Sequence, residues 1–446
     1  MIIPFIFNMS TYSEAPYTWF FFKGLDMAKH HDWPIMGQEI YVKSSLKDFI
    51  KMGERAAYDA DFIKEHLWYE TPHSKDFKHF KGYAVNKKII DDLVKETGSY
   101  LDAYLRILRA PYEPLVEDIT RQIEDIKANY SEPIEAFCVL SANPSLSAAA
   151  AKFNIPVLHY EMGCFREPVY MKTAFMDTRS LHGGNTTEVR FKKFQSEMKG
   201  YRNIMSPKEL LALLLRPEKM DMLDKYGTRP EVRCGAALGY AVVEIFQAQS
   251  GFNDSELLYR LARKYGTNNM LIRMHPFDPY GAKYPKYSMC VDKKDHSTID
   301  FILSCEEIFS IGSNVCVEAM FWGRKAHTMV KSPSYYGSAH TVEEKAPQVD
   351  PMYLNFFAMN YLIPFRFMMD PEYIRWRLSD TSEKEIFEKH QADHLANKKL
   401  DMSVMDLPAS KRLQAFKEAR AVYKKQTEDI NKCFFHRPYS CLHSCP

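Results

Sequence analysis

Two apolar runs constrain this chain more than any other feature. Met270-Leu271-Ile272-Arg273-Met274 ends in His275-Pro276, and Glu307-Ile308-Phe309-Ser310-Ile311 ends in Gly312-Ser313-Asn314. Runs this short, bounded by turn-forming residues, suit buried parallel strands. In open α/β sheets ligands bind outside the carboxyl ends of the strands, which is where these polar residues fall. Val315 to Gly323 then reads as a short amphipathic helix closed by its glycine. Its amino terminus would face the same edge as His275, and such an end binds phosphate through free backbone N–H groups and the helix dipole.

The rest of the chain supports a repeated α/β plan. At 446 residues it exceeds the roughly 250–300 residues at which single cores stop growing, so two domains are expected. Ile134 to Leu140 reads as a strand, Pro144 to Phe153 as a helix and Ile155 to Tyr160 as a second strand, a βαβ unit that implies a parallel sheet. A second half begins near Val232, with Cys234 to Val243 strand-like, a helix from Asp254, a helix from Thr298 to Ser304 and a strand over Lys325 to Val330. Helical spacing is also present from Ser44 to Ala60, Lys87 to Arg109, Pro114 to Ala128 and Ser206 to Leu215, whereas Tyr17 to Phe22 reads as irregular. Boundaries follow at 1–225, 226–370 and 371–446, the last a run of charged helices and a tail.

Composition excludes several classes. A net charge of +2 leaves no electrostatic footprint for nucleic acid. Nine scattered cysteines, an odd number, argue against a disulfide framework and for a reducing compartment. The opening residues lack a basic leader and cleavage site, and the apolar stretch from Met352 to Met369 is interrupted by Asn355, Asn360, Pro364 and Arg366. The expectation is a cytoplasmic protein with at most peripheral contact at the inner membrane face. The tail holds Cys433, His436, Cys441, His443 and Cys445, but their spacing matches no common zinc pattern and no metal is expected.

Chemistry-bearing residues cluster at the presumed strand ends. His275 is either a hydrogen-bonded structural histidine or, fixed by Pro276 and preceded by Arg273, one wall of a phosphate site. Ser313 and Asn314 are either ordinary helix caps or the opposite wall. Glu318 is either a solvated helix residue or a carboxylate for the two hydroxyls of a ribose. In the first half, Glu161 and Arg166 follow the second strand of the βαβ unit, and the loop from Asp177 to Asn185 could wrap a ligand. Arg166 is either a surface ion-pair partner, worth little, or a bidentate partner for a ligand carboxylate.

The ordered set Arg273-Met274-His275-Pro276-Phe277-Asp278, then Gly312-Ser313-Asn314-Val315-Cys316-Val317-Glu318-Ala319, with Tyr160-Glu161-Met162-Gly163-Cys164-Phe165-Arg166-Glu167-Pro168 upstream, resembles bacterial glycosyltransferases of the GT-B class that use CMP-activated acidic sugars. In particular it resembles the retaining β-Kdo transferases of lipopolysaccharide and capsule assembly. The resemblance covers roughly residues 134–330.

It implies two Rossmann-like domains facing a central cleft, an N-terminal acceptor half and a C-terminal donor half. The implied reaction moves Kdo, or a related 2-ulosonic acid, from its CMP ester to a sugar hydroxyl of a bacterial surface polysaccharide, with retention and without metal or other cofactor. The acceptor would be an oligosaccharide, a lipid-linked one included. His275 and Ser313 would hold the CMP phosphate, and Glu161 would be the acceptor-side carboxylate. The sequence departs from the family pattern where a nucleophilic aspartate is expected. Glu244 stands at about that place and is preferred over Asp254, which a helix cap explains. Other readings are the same fold with a CMP-sialic acid-like or UDP-sugar donor, and a glycan-binding relative without catalysis.

Overall fold

The computed structural model describes residues 1–7, 18–39, 42, 81–140, 142–201, 203–239, 252–275, 284–293 and 296–419. Among them the chain forms two sheets, one of seven strands and one of four.

The first sheet comprises β1 (Ile2–Ile6), β2 (Ile35–Gln38), β3 (Gly82–Val85), β4 (Ala136–Leu140), β5 (Val157–Met162), β6 (Thr173–Asp177) and β11 (Leu362–Pro364), in the spatial order β11-β6-β5-β4-β1-β2-β3. From β3 to β5 all neighbours are parallel, and β6 and β11 then add two antiparallel pairings. The second sheet is wholly parallel: β7 (Val232–Ala237), β8 (Met270–Arg273), β9 (Cys305–Ser310) and β10 (Lys325–Thr328), in the order β10-β9-β7-β8. Two mostly parallel sheets with intervening helices give a mixed α/β protein of two Rossmann-like halves. Leu362–Pro364, which the sequence reading groups with the second half, lies on the edge of the first sheet.

Local sequence explains the connecting helices. Helix α1 (Thr18–His31) follows β1 and begins inside the stretch expected to be irregular. The single helix expected over Lys87 to Arg109 is two, α2 (Lys87–Thr97) and α3 (Tyr100–Arg109). Gly98 at φ 84° ends the first in a left-handed cap, and the Ser99 side chain caps the second by accepting from the Asp102 N–H. Helix α4 (Glu113–Asn129) leads into β4, and α5 (Pro144–Ala151), capped by Asn143, completes the first half's βαβ unit between β4 and β5. Helices α6 (Thr187–Glu197) and α7 (Pro207–Leu214) lead away from β6. Pro217–Lys225 winds as a 3-10 helix, tighter than an α-helix.

In the second half, α8 (Asp254–Tyr265) is capped by Asn253, whose side chain accepts from the Glu256 N–H. Asp254 is therefore not the cap; its carboxylate accepts from the Tyr284 hydroxyl at 3.3 Å. Helix α9 (Thr298–Ser304) has a capping box between Ser297 and Asp300, and α10 (Val315–Phe321) follows β9. Helix α11 (Pro351–Phe356) then runs toward β11, and α12 (Pro371–Leu378), α13 (Glu383–Ala396) and α14 (Ala409–Glu418) complete the described chain. The helical stretch expected from Ser44 to Ala60 and the cysteine- and histidine-bearing tail lie outside the described residues.

One apolar core fills the first sheet, with Phe5, Phe137, Val139 and Leu158 fully buried. A second core joins the halves: Phe165, Leu210 and Leu214 from the first pack with Phe301, Phe321 and Trp322 from the second and with Phe356 and Phe387 from the returning chain. A third covers the outer side of the second sheet around Leu257, Leu261 and Ile272.

Candidate active site

Because β7, β8 and β9 are parallel neighbours, their carboxyl ends form one edge. His275 stands there, partly buried, two residues past the end of β8, and the turn from Gly312 to Asn314 stands there past β9. The turn is built from serine hydroxyls. The Ser313 N–H donates to the buried Ser310 Oγ at 2.9 Å, and the Val315 N–H donates to Ser313 Oγ at 3.3 Å. Ser313 thus does the capping that sequence reading shared between Ser313 and Asn314; the Asn314 side chain makes no cap hydrogen bond. Pro276 and Glu244 lie outside the described residues.

Arg273, on the last position of β8, donates through Nη1 to Asp292 Oδ2 and to the His296 carbonyl, both at 3.0 Å. Its guanidinium is therefore tied to the next loop, while its charge still acts on Glu318.

Glu318 is not a solvated helix residue. It is buried, and its Oε1 accepts from the Tyr170 hydroxyl at 2.6 Å. The same hydroxyl accepts from Trp322 Nε1 at 2.7 Å. Burial pushes the Glu318 carboxyl up to about 7, against the pull of the Tyr170 hydrogen bond and of the Arg166 and Arg273 charges. Tyr170 belongs to the segment after β5, so this contact spans the two halves. Phe165 reinforces it edge-on, 4.8 Å from the Phe321 ring and 5.0 Å from Tyr170. The segment can leave β5 this tightly because residue 163 is glycine; a Cβ there would sit 2.1 Å from Thr173 Oγ1.

Glu161, next to last in β5, pairs in register with Phe175 of β6. Its Oε2 is 3.2 Å from His182 Nε2, with the carboxylate 36% and the imidazole 13% exposed. Arg166 is exposed, and its charge reaches Glu318 and Lys172. Sequence reading did not single out His182, although it lies in the loop marked as able to wrap a ligand. Among the described residues no group of three or more His, Cys, Asp or Glu side chains is placed to hold a metal ion. No helix of the described residues is long and apolar enough to cross a membrane.

None of the curated proteins matches the sequence. The fold overlays on several solved structures at low similarity. KpsC of Thermosulfurimonas dismutans, a beta Kdo 2,7 transferase, is 14% identical with a TM-score of 0.36, over 77% of this chain and 96% of that one. Its beta Kdo 2,4 transferase is 12% identical at 0.33, over 51% and 81%. The UDP-GlcNAc 2-epimerase of Neisseria meningitidis bound to UDP-GlcNAc is 11% identical at 0.26, over 89% and 100%. In sequence, residues 4–187, which include Glu161 and His182, match the Glycosyltransferase 99 family N-terminal domain.

Proposed function

We propose that this protein transfers Kdo, or a related 2-ulosonic acid, from its CMP ester to a sugar hydroxyl of a bacterial surface glycan, with retention of configuration and no need for a metal. The observation that carries the reading is the glycosyltransferase-family match over the half that holds Glu161. The His275-Pro276 and Ser313-Asn314 motifs, of which His275, Ser313 and Asn314 stand at strand ends of one sheet edge, support the nucleotide half of it.

In this reading His275 and the Ser313 hydroxyl hold the CMP phosphate, with the backbone of the Gly312 to Asn314 turn beside them. Glu318 Oε1 is taken by Tyr170, so a ribose contact falls to its other oxygen. Arg166 pairs with the donor's carboxylate. The Glu244 carboxylate attacks the anomeric carbon as the bond to the CMP oxygen breaks, and CMP leaves. The acceptor hydroxyl then attacks the same carbon, its proton passes to Glu161, and the ester to Glu244 breaks. Two inversions give net retention. Asp254 is the second choice for nucleophile. A lipid-linked acceptor would reach the cleft from the inner membrane face.

Two measurements test this. Thermal melting with a panel of nucleotides reads donor preference, since a ligand that binds only the folded state raises the midpoint. Preference for UDP over CMP overturns the CMP donor. Mass spectrometry after mixing with CMP-Kdo should find one sugar added to the peptide containing Glu244; a sugar on the peptide containing Asp254 moves the nucleophile there.

A further inference from the structure

We propose that His182 is the positioning residue for Glu161, held on a strap that is itself pinned to the second sheet. The inference rests on the reading of Glu161 as the acceptor-side base.

The strap, residues 178–186, is fixed at both ends by one carboxylate. Asp177, 2% exposed, accepts from the Arg179 N–H at 2.9 Å, from the Thr186 N–H at 2.8 Å and hydroxyl at 2.9 Å, and from the Tyr361 hydroxyl at 2.9 Å. Inside it, the Ser180 hydroxyl donates to the His182 carbonyl at 2.9 Å and Asn185 Nδ2 to the Leu181 carbonyl at 3.0 Å. Leu181 anchors the strap in the core that joins the halves.

The next residue reaches across. Gly183, at φ +85°, donates its N–H to the Lys331 carbonyl at 2.7 Å. That carbonyl lies at the donor edge, because Met329 and Val330 donate to the carbonyls of Ser310 and Ile311, immediately before the Gly312 to Asn314 turn. His182 is therefore one residue from a backbone bond to the second half, and its Nε2 is 3.2 Å from Glu161 Oε2. A base held by a third group that is itself fixed is the usual way such a carboxylate is kept aimed at its proton. The acceptor proton goes to Glu161, and His182 makes and breaks no bond to the sugar.

The test compares wild type, Glu161→Gln, His182→Ala and His182→Gln with CMP-Kdo as donor probe and a panel of octyl glycosides as acceptor probes, reading CMP release with and without acceptor. His182→Ala should lower acceptor-dependent kcat by about 10- to 100-fold, the scale of a misplaced group, with KM for CMP-Kdo unchanged. His182→Gln, which keeps a donor on the same side, should recover most of the loss. Acceptor-dependent turnover of His182→Ala within twofold of wild type, while Glu161→Gln is inactive, overturns the inference and leaves the functional reading standing. An active Glu161→Gln removes that reading and the inference with it. A double-mutant cycle of His182→Ala and Glu161→Ala on urea unfolding checks the contact without turnover, and zero coupling also overturns it.

Discussion

The Tyr170 hydroxyl donates to the Glu318 carboxylate at 2.6 Å and ties the segment after β5 to the helix after β9. A hydrogen bond from one half of the molecule thus ends on a carboxyl that burial has pushed up to about 7. The folded state favours the protonated form of Glu318, so its contribution is fully present below the ordinary carboxyl pKa of 4.5 and is lost as pH rises through about 7. The loss amounts to about 3 kcal/mol. Glu318→Gln keeps an acceptor for Tyr170 but does not titrate. Urea midpoints measured between pH 5 and 8 should fall less steeply in that variant than in wild type. Tyr170→Phe should cost about 1–3 kcal/mol at pH 5, since Glu318 and Trp322 both lose a buried partner.

His394 works in the opposite direction. It is 1% exposed, and burial together with the Lys398 and Arg366 charges lowers its pKa from 6.5 to about 4. The unfolded chain takes up the proton first, so stability falls as pH drops below 6.5 and the loss is complete near pH 4, at about 3 kcal/mol. Neither ring nitrogen of His394 has a hydrogen-bond partner among the described residues. His394→Leu should therefore hold its stability at pH 7 and lose less than wild type between pH 7 and 5, as read by denaturant midpoints.

Arg190 and Glu383 form a bidentate pair, Nε to Oε1 at 2.8 Å and Nη2 to Oε2 at 3.0 Å, between α6 and the start of α13. Both side chains are largely buried, and Arg190 Nη2 also donates to the Asn360 carbonyl at 3.0 Å. Removing one partner strands the other charge. Glu383→Ala should cost about 3–5 kcal/mol, checked by urea unfolding, and the double change Arg190→Met with Glu383→Leu should cost less than Glu383→Ala alone.

On the proposed reaction, Glu161→Gln should leave the CMP dissociation constant within twofold of wild type while lowering transfer by about 100-fold or more, the contribution of a general base. His275→Ala should instead weaken CMP binding. Calorimetry with CMP beside a turnover assay separates the two, and weaker CMP binding in Glu161→Gln would assign that carboxylate to the donor.

Where sequence reading succeeded, the signal was local. The βαβ unit ending at Met162, the helix from Thr298 to Ser304 and the polar turn after Ser310 are each written in a short apolar run and its punctuation. It missed β6 and β11 because they are short antiparallel additions whose strand identity comes from the neighbour they pair with. It also missed what surrounds the site residues. Tyr170 meets Glu318 across 148 positions and His182 meets Glu161 across 21, and no spacing rule brings such pairs together. Glu318 was legible as a functional candidate, but its burial was not, since the Tyr170 that meets its carboxylate comes from the other half of the chain.

The pairing of Leu362–Pro364 with Thr173–Asp177 bears on how the two halves can be recombined. The family match stops at residue 187, yet the last strand within it takes its outer neighbour from 185 or more positions further on, and Asp177 takes the Tyr361 hydroxyl from the same place. A fragment ending at the match boundary would expose an unpaired strand edge of the kind that invites aggregation. Exchanging the first half for that of a relative therefore requires moving the segment around β11 along with it.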